Sequence, residues 1–210
     1  MLTQRRIAVL VSGRGSNLQA IMRAITEGRL EADIGLVLSN RAESAGLAHA
    51  AAAGLPTRVL AHGDFPDRNA FDAALAEVLE AANVDLVCLA GFMRRVGLSL
   101  LDRCPRPILN IHPSLLPAFP GMNAQQQAVD HGVKVTGVTV HFVTAELDAG
   151  PIVLQRAVPV LDDDTGETLS ARLLPVEHDL YPEAIQRVLH HRWRLVGRRV
   201  QFDRREPPLR

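Results

Sequence analysis

The sequence predicts an α/β fold: a mostly parallel β-sheet with helices on both faces and an antiparallel hairpin in its C-terminal part. Two observations carry this. Near-continuous apolar runs alternate with segments of helical period up to about residue 111, the pattern of parallel strands buried on both faces and joined by helical crossovers. From about Val133 the pattern changes to partial alternation, with a turn at Asp148-Ala-Gly-Pro151 between two strand-like stretches, which reads as an antiparallel pair.

Taken in order, IAVLVS at 7–12 is the first buried strand and 18–25 the helix after it. A second strand at 34–39 is followed by an Ala-rich helix over 44–53, which Gly54 closes and Pro56 keeps from continuing. Residues 57–61 form a short strand, and 67–83 an amphipathic helix with Phe71, Leu75, Val78 and Leu79 at helical spacing. Further strands follow at 84–90 and 107–111, and 135–144 pairs with 152–160. Residues 168–190 read as a long helical stretch, interrupted or offset at Pro175 and Pro182. The segment 187–210 holds eight arginines against Asp203 and Glu206, with Pro207-Pro208 near its end. It predicts an exposed Arg/Pro-rich tail over 196–210 behind a single domain over 1–195.

Composition narrows the function classes. The chain has 210 residues, with 23 basic and 23 acidic side chains and a formal net charge of zero. That length suits one compact unit with a core of its own, needing neither disulfides nor a metal. The charge balance offers no broad basic surface to a nucleic acid. Every basic residue but Lys134 is arginine, which removes lysine chemistry from almost every position. Cys88 lies in an apolar run and Cys104 forms no CxxC pair with it, so both read as small core residues. No apolar run approaches the ~20 residues of a membrane span. The opening apolar run is too short for a signal-peptide core, and a cytoplasmic protein is expected.

In open parallel sheets ligands bind beyond the carboxyl ends of the strands. Ser12-Gly-Arg-Gly-Ser-Asn17 lies there, between a strand and a helix. Its glycines permit a tight turn, and the helix N-terminus offers free N–H groups to an anion. A monophosphate site is the better reading, with a plain capped turn as the alternative. Dinucleotide binding fits poorly, because Leu18 replaces the third glycine and the second strand ends at Ser39-Asn40 without an acid. A P-loop would need a lysine that is absent here.

Asn110-Ile-His-Pro-Ser-Leu-Leu-Pro117 begins at the end of a strand. Side chains alternate along a strand, so Asn110 and His112 point to one side. An amide donor beside an imidazole suits a developing oxyanion, and the imidazole can also move protons near neutral pH. Asp148 lies in a turn that could return to this sheet end and aid proton transfer; on spacing alone, a turn aspartate making local hydrogen bonds is the favoured reading. No GxSxG elbow, HExxH or Cys/His cluster occurs, so neither a serine nucleophile nor a metal is expected. Direct transfer between two bound substrates is the chemistry these residues suit.

Several segments together resemble one family. They are Gly15-Ser-Asn17, Gly91-Phe-Met-Arg94, the 110–117 segment, His141-Phe-Val, Glu146-Leu-Asp148 and Glu177-His-x-x-Tyr-Pro182, in family order from about Arg6 to Trp193. The chain resembles the phosphoribosylglycinamide formyltransferases, folate-dependent enzymes of purine biosynthesis also called glycinamide ribonucleotide transformylases. The resemblance implies the Rossmann-like formyltransferase fold. It also implies attack of the amine of 5-phosphoribosylglycinamide on the formyl carbon of 10-formyltetrahydrofolate, through a tetrahedral intermediate.

By that resemblance Gly15, Ser16 and Asn17 hold the phosphate, and Glu177 helps to hold the ribose. Arg68, Met93, Arg94, Arg95, Val96 and Asn110 would frame the folate, with Thr144, Ala145, Glu146, Leu147 and Asp148. Asn110 and His112 would stabilise the oxyanion, Asp148 would assist proton transfer, and His141 would support the cluster. Partners would be these two small molecules, with no nucleic acid, no membrane and no metal, in a monomer or homodimer. The chain departs from the family at Asn123 and Gln125, where histidines occur in some members, and at Ala118, Leu174, Arg95 and Ala145. The alternatives are a 10-formyltetrahydrofolate deformylase, a methionyl-tRNA formyltransferase, and a non-catalytic phosphoribosyl-ligand-binding relative. The first two usually carry an additional domain, for which this length leaves no room.

Overall fold

The computed structural model describes residues 5–203. β1 (Arg6–Val11), β2 (Asp33–Ser39), β3 (Thr57–Val59), β4 (Leu86–Leu89) and β5 (Ile108–His112) run parallel. β6 (Val135–Phe142) pairs antiparallel with β5, and β7 (Ile152–Pro159) antiparallel with β6. With β8 (Trp193–Val196) and β9 (Arg199–Phe202) they form one sheet of order β3-β2-β1-β4-β5-β6-β7-β9-β8.

The period of two in β1 explains why the sheet is covered on both sides. Ile7, Val9 and Val11 enter one apolar cluster and Ala8 and Leu10 the other. The first cluster receives α1 (Ser16–Thr26), α2 (Ala45–Ala52) and α6 (Gly166–His190), through Leu18, Ile21, Leu47, Leu173 and Tyr181. The second receives α3 (Arg68–Ala81) and α4 (Leu98–Leu101), through Phe71, Leu75, Leu79 and Leu100. A short helix, α5 (Ala124–Asp130), follows the 113–123 loop and packs against α6.

Two expectations are corrected. The interruption at Pro175 and Pro182 does not occur: α6 is continuous through both. Burial of Leu169, Leu173, Leu180, Tyr181, Ile185 and Val188 along one side outweighs the lost backbone bonds, a tertiary override of local preference. The helix is also held at its start by a capping box between Thr165 and Thr168. Residues 194–199 are exposed, but they are not part of an irregular tail. Residues 193–202 form the β8–β9 hairpin, whose β9 pairs with β7; the remainder of the predicted tail beyond Asp203 lies outside the described residues. The alternation of Trp193 and Leu195 with Val200 and Phe202 supplies strand faces that the arginines between them mask.

Candidate active site

The site lies at the carboxyl ends of the parallel strands, where three segments converge. The first is the glycine loop after β1. Gly15 sits at φ 75° and serves as the N-cap of α1, which has no side-chain cap. The loop lies so close to α2 that a Cβ on Gly15 would stand 2.6 Å from the Gly46 Cα, and Gly13 O accepts from Gly46 N at 3.0 Å and from Ser44 Oγ at 3.0 Å. The uncapped N–H groups at the start of α1 suit an anion. Asn17 Nδ2 donates to Glu177 Oε2 of α6 at 2.9 Å, and Asn17 Oδ1 is buried with no partner among the described residues. Burial pushes the Glu177 carboxyl above its ordinary range, against the pull of Asn17, His112 and Arg14.

The second segment is the 90–97 turn after β4. Ser12 Oγ accepts from Met93 N at 2.8 Å and donates to Asn40 Oδ1 at 2.5 Å, which ties this turn to the glycine loop. Buried Asp72 of α3 accepts from Gly97 N at 2.9 Å. Its carboxyl is raised by burial, offset by that bond and by Arg68 and Arg94. The Arg94 guanidinium lies over the Phe71 ring, 4.8 Å from its centroid. Tyr181 Oη bonds the carbonyls of Leu89 and Leu109 at 2.9 and 3.1 Å, fixing the ends of β4 and β5 against α6.

The third segment joins β5, β6 and the loop between β6 and β7. Asn110 stands opposite His141 in the β5–β6 register, and its Nδ2 donates to His141 Nε2 at 3.2 Å. His141 Nδ1 faces the Phe142 carbonyl at 2.9 Å, so the hydrogen-bond network assigns the neutral ring with its proton on Nδ1. Burial lowers the His141 pKa, and this outweighs the raising effects of Phe142 O and of Asp148, whose Oδ1 is 3.7 Å from Nε2. Asp148, at φ 49°, also sets Oδ2 3.4 Å from His112 Nδ1 and accepts from Gly121 N at 2.8 Å. His112 Nε2 donates to the Phe119 carbonyl at 2.9 Å. Asp148 thus lies between two imidazoles, and the local-turn reading drawn from spacing alone is too small.

The titration of His141 makes stability depend on pH. Its folded pKa is lowered, so the unfolded chain takes up the proton first as pH falls. The stability this group contributes is therefore complete above pH 6.5 and is lost as pH falls through the lowered value. Glu177, raised, acts in the opposite sense above pH 4.5. His141→Gln keeps an acceptor for Asn110 but cannot protonate. Urea midpoints at pH 7.5 and 5.5 are expected to fall less in the variant than in the parent chain; equal falls would remove His141 from the account.

Two clefts open beside these segments. The first, with about 510 Å³ of empty space open to solvent, has apolar walls from Leu89, Phe92, Val96, Val143 and Leu147. Arg94, Arg95, Asn110, His141, Thr144, Ala145, Glu146 and Asp148 also line it. Of the residues assigned to the folate by resemblance, Arg68 and Met93 do not line it. Arg68 lies beside Gly97, and the Met93 side chain is 69% exposed. The second cleft, about 1140 Å³, opens beside the glycine loop and is lined by Arg14, Asn123, Gln125, Glu167, Ser170 and Leu174 among others. Three of the departures, Asn123, Gln125 and Leu174, are therefore neighbours.

Sequence reasoning did not single out Asp72, or the Phe119 carbonyl and Gly121 N–H that meet His112 and Asp148. An acid on the buried face of α3 is a signal for the first. The others carry none, because backbone carbonyls and N–H groups leave no trace in residue identity. Ser114 Oγ donates to the Ala118 carbonyl at 2.6 Å, and burial pushes both the Cys88 and Cys104 thiols up, which disfavours their thiolate forms. Among the described residues no group of three or more His, Cys, Asp or Glu could hold a metal ion, and no helix is long and apolar enough to cross a membrane.

Comparisons with known proteins identify the family. The family model described as formyl transferase matches residues 5–185. The chain is 42% identical to the phosphoribosylglycinamide formyltransferase of Escherichia coli (strain K12), over 85% of this chain and 84% of that one. It is 52% identical to the trifunctional purine biosynthetic protein adenosine-3 of Bos taurus, over 87% of this chain but only 18% of that much longer protein. The crystal structure of glycinamide ribonucleotide transformylase 1 from Symbiobacterium toebii superposes with a TM-score of 0.93 at 54% identity, covering 96% of this chain and 95% of that one. By sequence and by fold, the chain belongs to the formyl transferase family, among the phosphoribosylglycinamide formyltransferases.

Proposed function

We propose that this chain transfers the formyl group of 10-formyltetrahydrofolate to the amine of 5-phosphoribosylglycinamide. The observation that carries the reading is Asp148 lying between His112 and His141, with Asn110 in the wall of one cleft and the glycine loop at the edge of the other. The first cleft fits a donor with a flat heterocycle and a charged tail. Its apolar walls would cover the ring, backbone groups and Asp148 in the 144–148 loop would meet the ring edge, and Arg94 and Arg95 supply cations. The start of α1 fits a phosphate, with Arg14 as the nearby cation and Glu177 for the ribose hydroxyls.

The donor supplies a formyl carbon, whose bond to the folate nitrogen is exchanged for one to the nucleotide amine. Asn110, held by His141, keeps its second amide N–H for the oxygen on which charge develops. His112 donates through Nε2 once that oxygen takes the place of the Phe119 carbonyl. Asp148 receives the proton that the amine releases, directly or through one water, and passes it towards the leaving nitrogen. His141, held neutral by burial, adds no positive charge beside Asp148.

Tetrahydrofolate release by the purified chain tests this reading. Release is expected only when the nucleotide is present; equal release with the folate alone would replace the transferase by a hydrolase. The two clefts also predict a split between ligands. Ser16→Ala and Asn17→Ala are expected to raise the KM for the nucleotide roughly tenfold, the loss of one hydrogen bond to a charged group, with little change in the KM for the folate. Equal effects on both would contradict the phosphate assignment.

A further inference from the structure

We infer that the β8–β9 hairpin is a brace for the loop that carries Asp148, with Arg198 as its positioning residue. The inference deepens the proposed function and rests on it for the role of Asp148. The hairpin lies beyond residues 5–185, the span that the family model matches, and its composition reads as a solvated tail. In the structure it touches the 143–151 loop at its middle and at both roots. Arg198 Nη2 donates to the Ala149 carbonyl at 2.6 Å, one residue from Asp148. Before the loop, the Trp193 ring lies against Phe142, the last residue of β6, with centroids 4.7 Å apart. After the loop, Ile152 pairs with Arg199 of β9.

The reason for bracing lies in the loop itself. Residues 144–147 are exposed, and the side-chain bond of Thr144 to the Glu146 carbonyl is long at 3.3 Å. Asp148 takes a positive φ that a non-glycine residue does not favour. Its carboxylate must nevertheless stay within reach of His112 and Gly121. Gly197, at φ 59°, makes the two-residue turn that projects Arg198. A charged donor on a backbone carbonyl next to Asp148 opposes the loop's departure without occupying the cleft.

The test uses the full chain with Arg198→Ala, and Arg198→Lys as the conservative variant that keeps a cationic donor. Hydrogen exchange followed by mass spectrometry reads the brace without any substrate. In Arg198→Ala, peptides covering 143–151 are expected to exchange roughly tenfold faster, while those of β1, β4 and α6 are unchanged, with partial return in Arg198→Lys. In kinetics, Arg198→Ala is expected to lower kcat roughly tenfold and raise the KM for the folate, while the KM for the nucleotide holds. Unchanged exchange in the loop, or a lowered melting temperature with unchanged kinetic constants, would overturn the inference. A parent chain without formyl transfer would sink the proposed function instead and leave the exchange result standing.

Discussion

Replacing His112 with alanine is expected to lower kcat by roughly 10²–10⁴-fold, the range for a positioned proton-transfer or oxyanion group, with the KM of both substrates changing by only a few fold. Both ring nitrogens face acceptors, Asp148 Oδ2 at 3.4 Å and Phe119 O at 2.9 Å, so the ring is held in place before any substrate arrives. A group so held acts on charge that appears only in the transition state, and its loss falls on turnover rather than on binding. Asp148→Asn leaves an acceptor for Gly121 N but removes the charge facing both imidazoles. Its turnover is expected to fall about 10²-fold. Because the residues act as a unit, the double variant is expected to be little slower than His112→Ala alone. Steady-state kinetics over both substrates reads all of these. Near-normal turnover in either single variant would refute the roles assigned.

The second large effect is expected from Gly15→Ala, and it falls on a different ligand. The position has φ 75°, and an added Cβ would stand 2.6 Å from the Gly46 Cα, a backbone atom that has no side-chain freedom to yield. Positive φ and the overlap together are expected to cost about 2–4 kcal/mol of stability, read as a lowered urea midpoint. The loop can relieve the overlap only by withdrawing from α2, which turns the N–H groups of Ser16 and Asn17 away from a bound phosphate. The KM for the nucleotide should therefore rise roughly 10- to 100-fold, while that for the folate stays near its parent value. A variant of unchanged nucleotide KM would place the phosphate elsewhere.

Much of the sheet was legible in the sequence because the physics there is local. A strand buried on both faces must be apolar at nearly every position, and β1 and β4 are. A strand-to-helix junction with two glycines identifies the loop before α1. Asn110 and His112 could be put on one face by the period of two alone. Asp148 could not be assigned that way. Its meeting with His112 depends on β6 returning antiparallel beside β5 and on the course of the following loop, which no spacing encodes. Glu177 is similar: its bond to Asn17 joins positions 160 apart, and only family resemblance pointed to it. The C-terminal hairpin was misread for another reason. Arginines and prolines signal solvation, and they outweighed a short but genuine alternation around Gly197.

The departures now have a location. Asn123, Gln125 and Leu174 line one cleft together with Arg14, while Arg95 and Ala145 line the other, beside Asn110 and Asp148. Zero net charge likewise conceals a local arrangement, in which Arg94 and Arg95 line one cleft and Arg14, beside the start of α1, lines the other.

In the proposed reaction the formyl carbon passes directly between two bound molecules under Asn110, His112 and Asp148. The most direct test is the fate of that carbon, supplied as ¹³C in 10-formyltetrahydrofolate and followed by mass spectrometry with purified chain and 5-phosphoribosylglycinamide. The label is expected in the formylated nucleotide, one per tetrahydrofolate released. Label recovered as free formate, with the nucleotide unchanged, would contradict it.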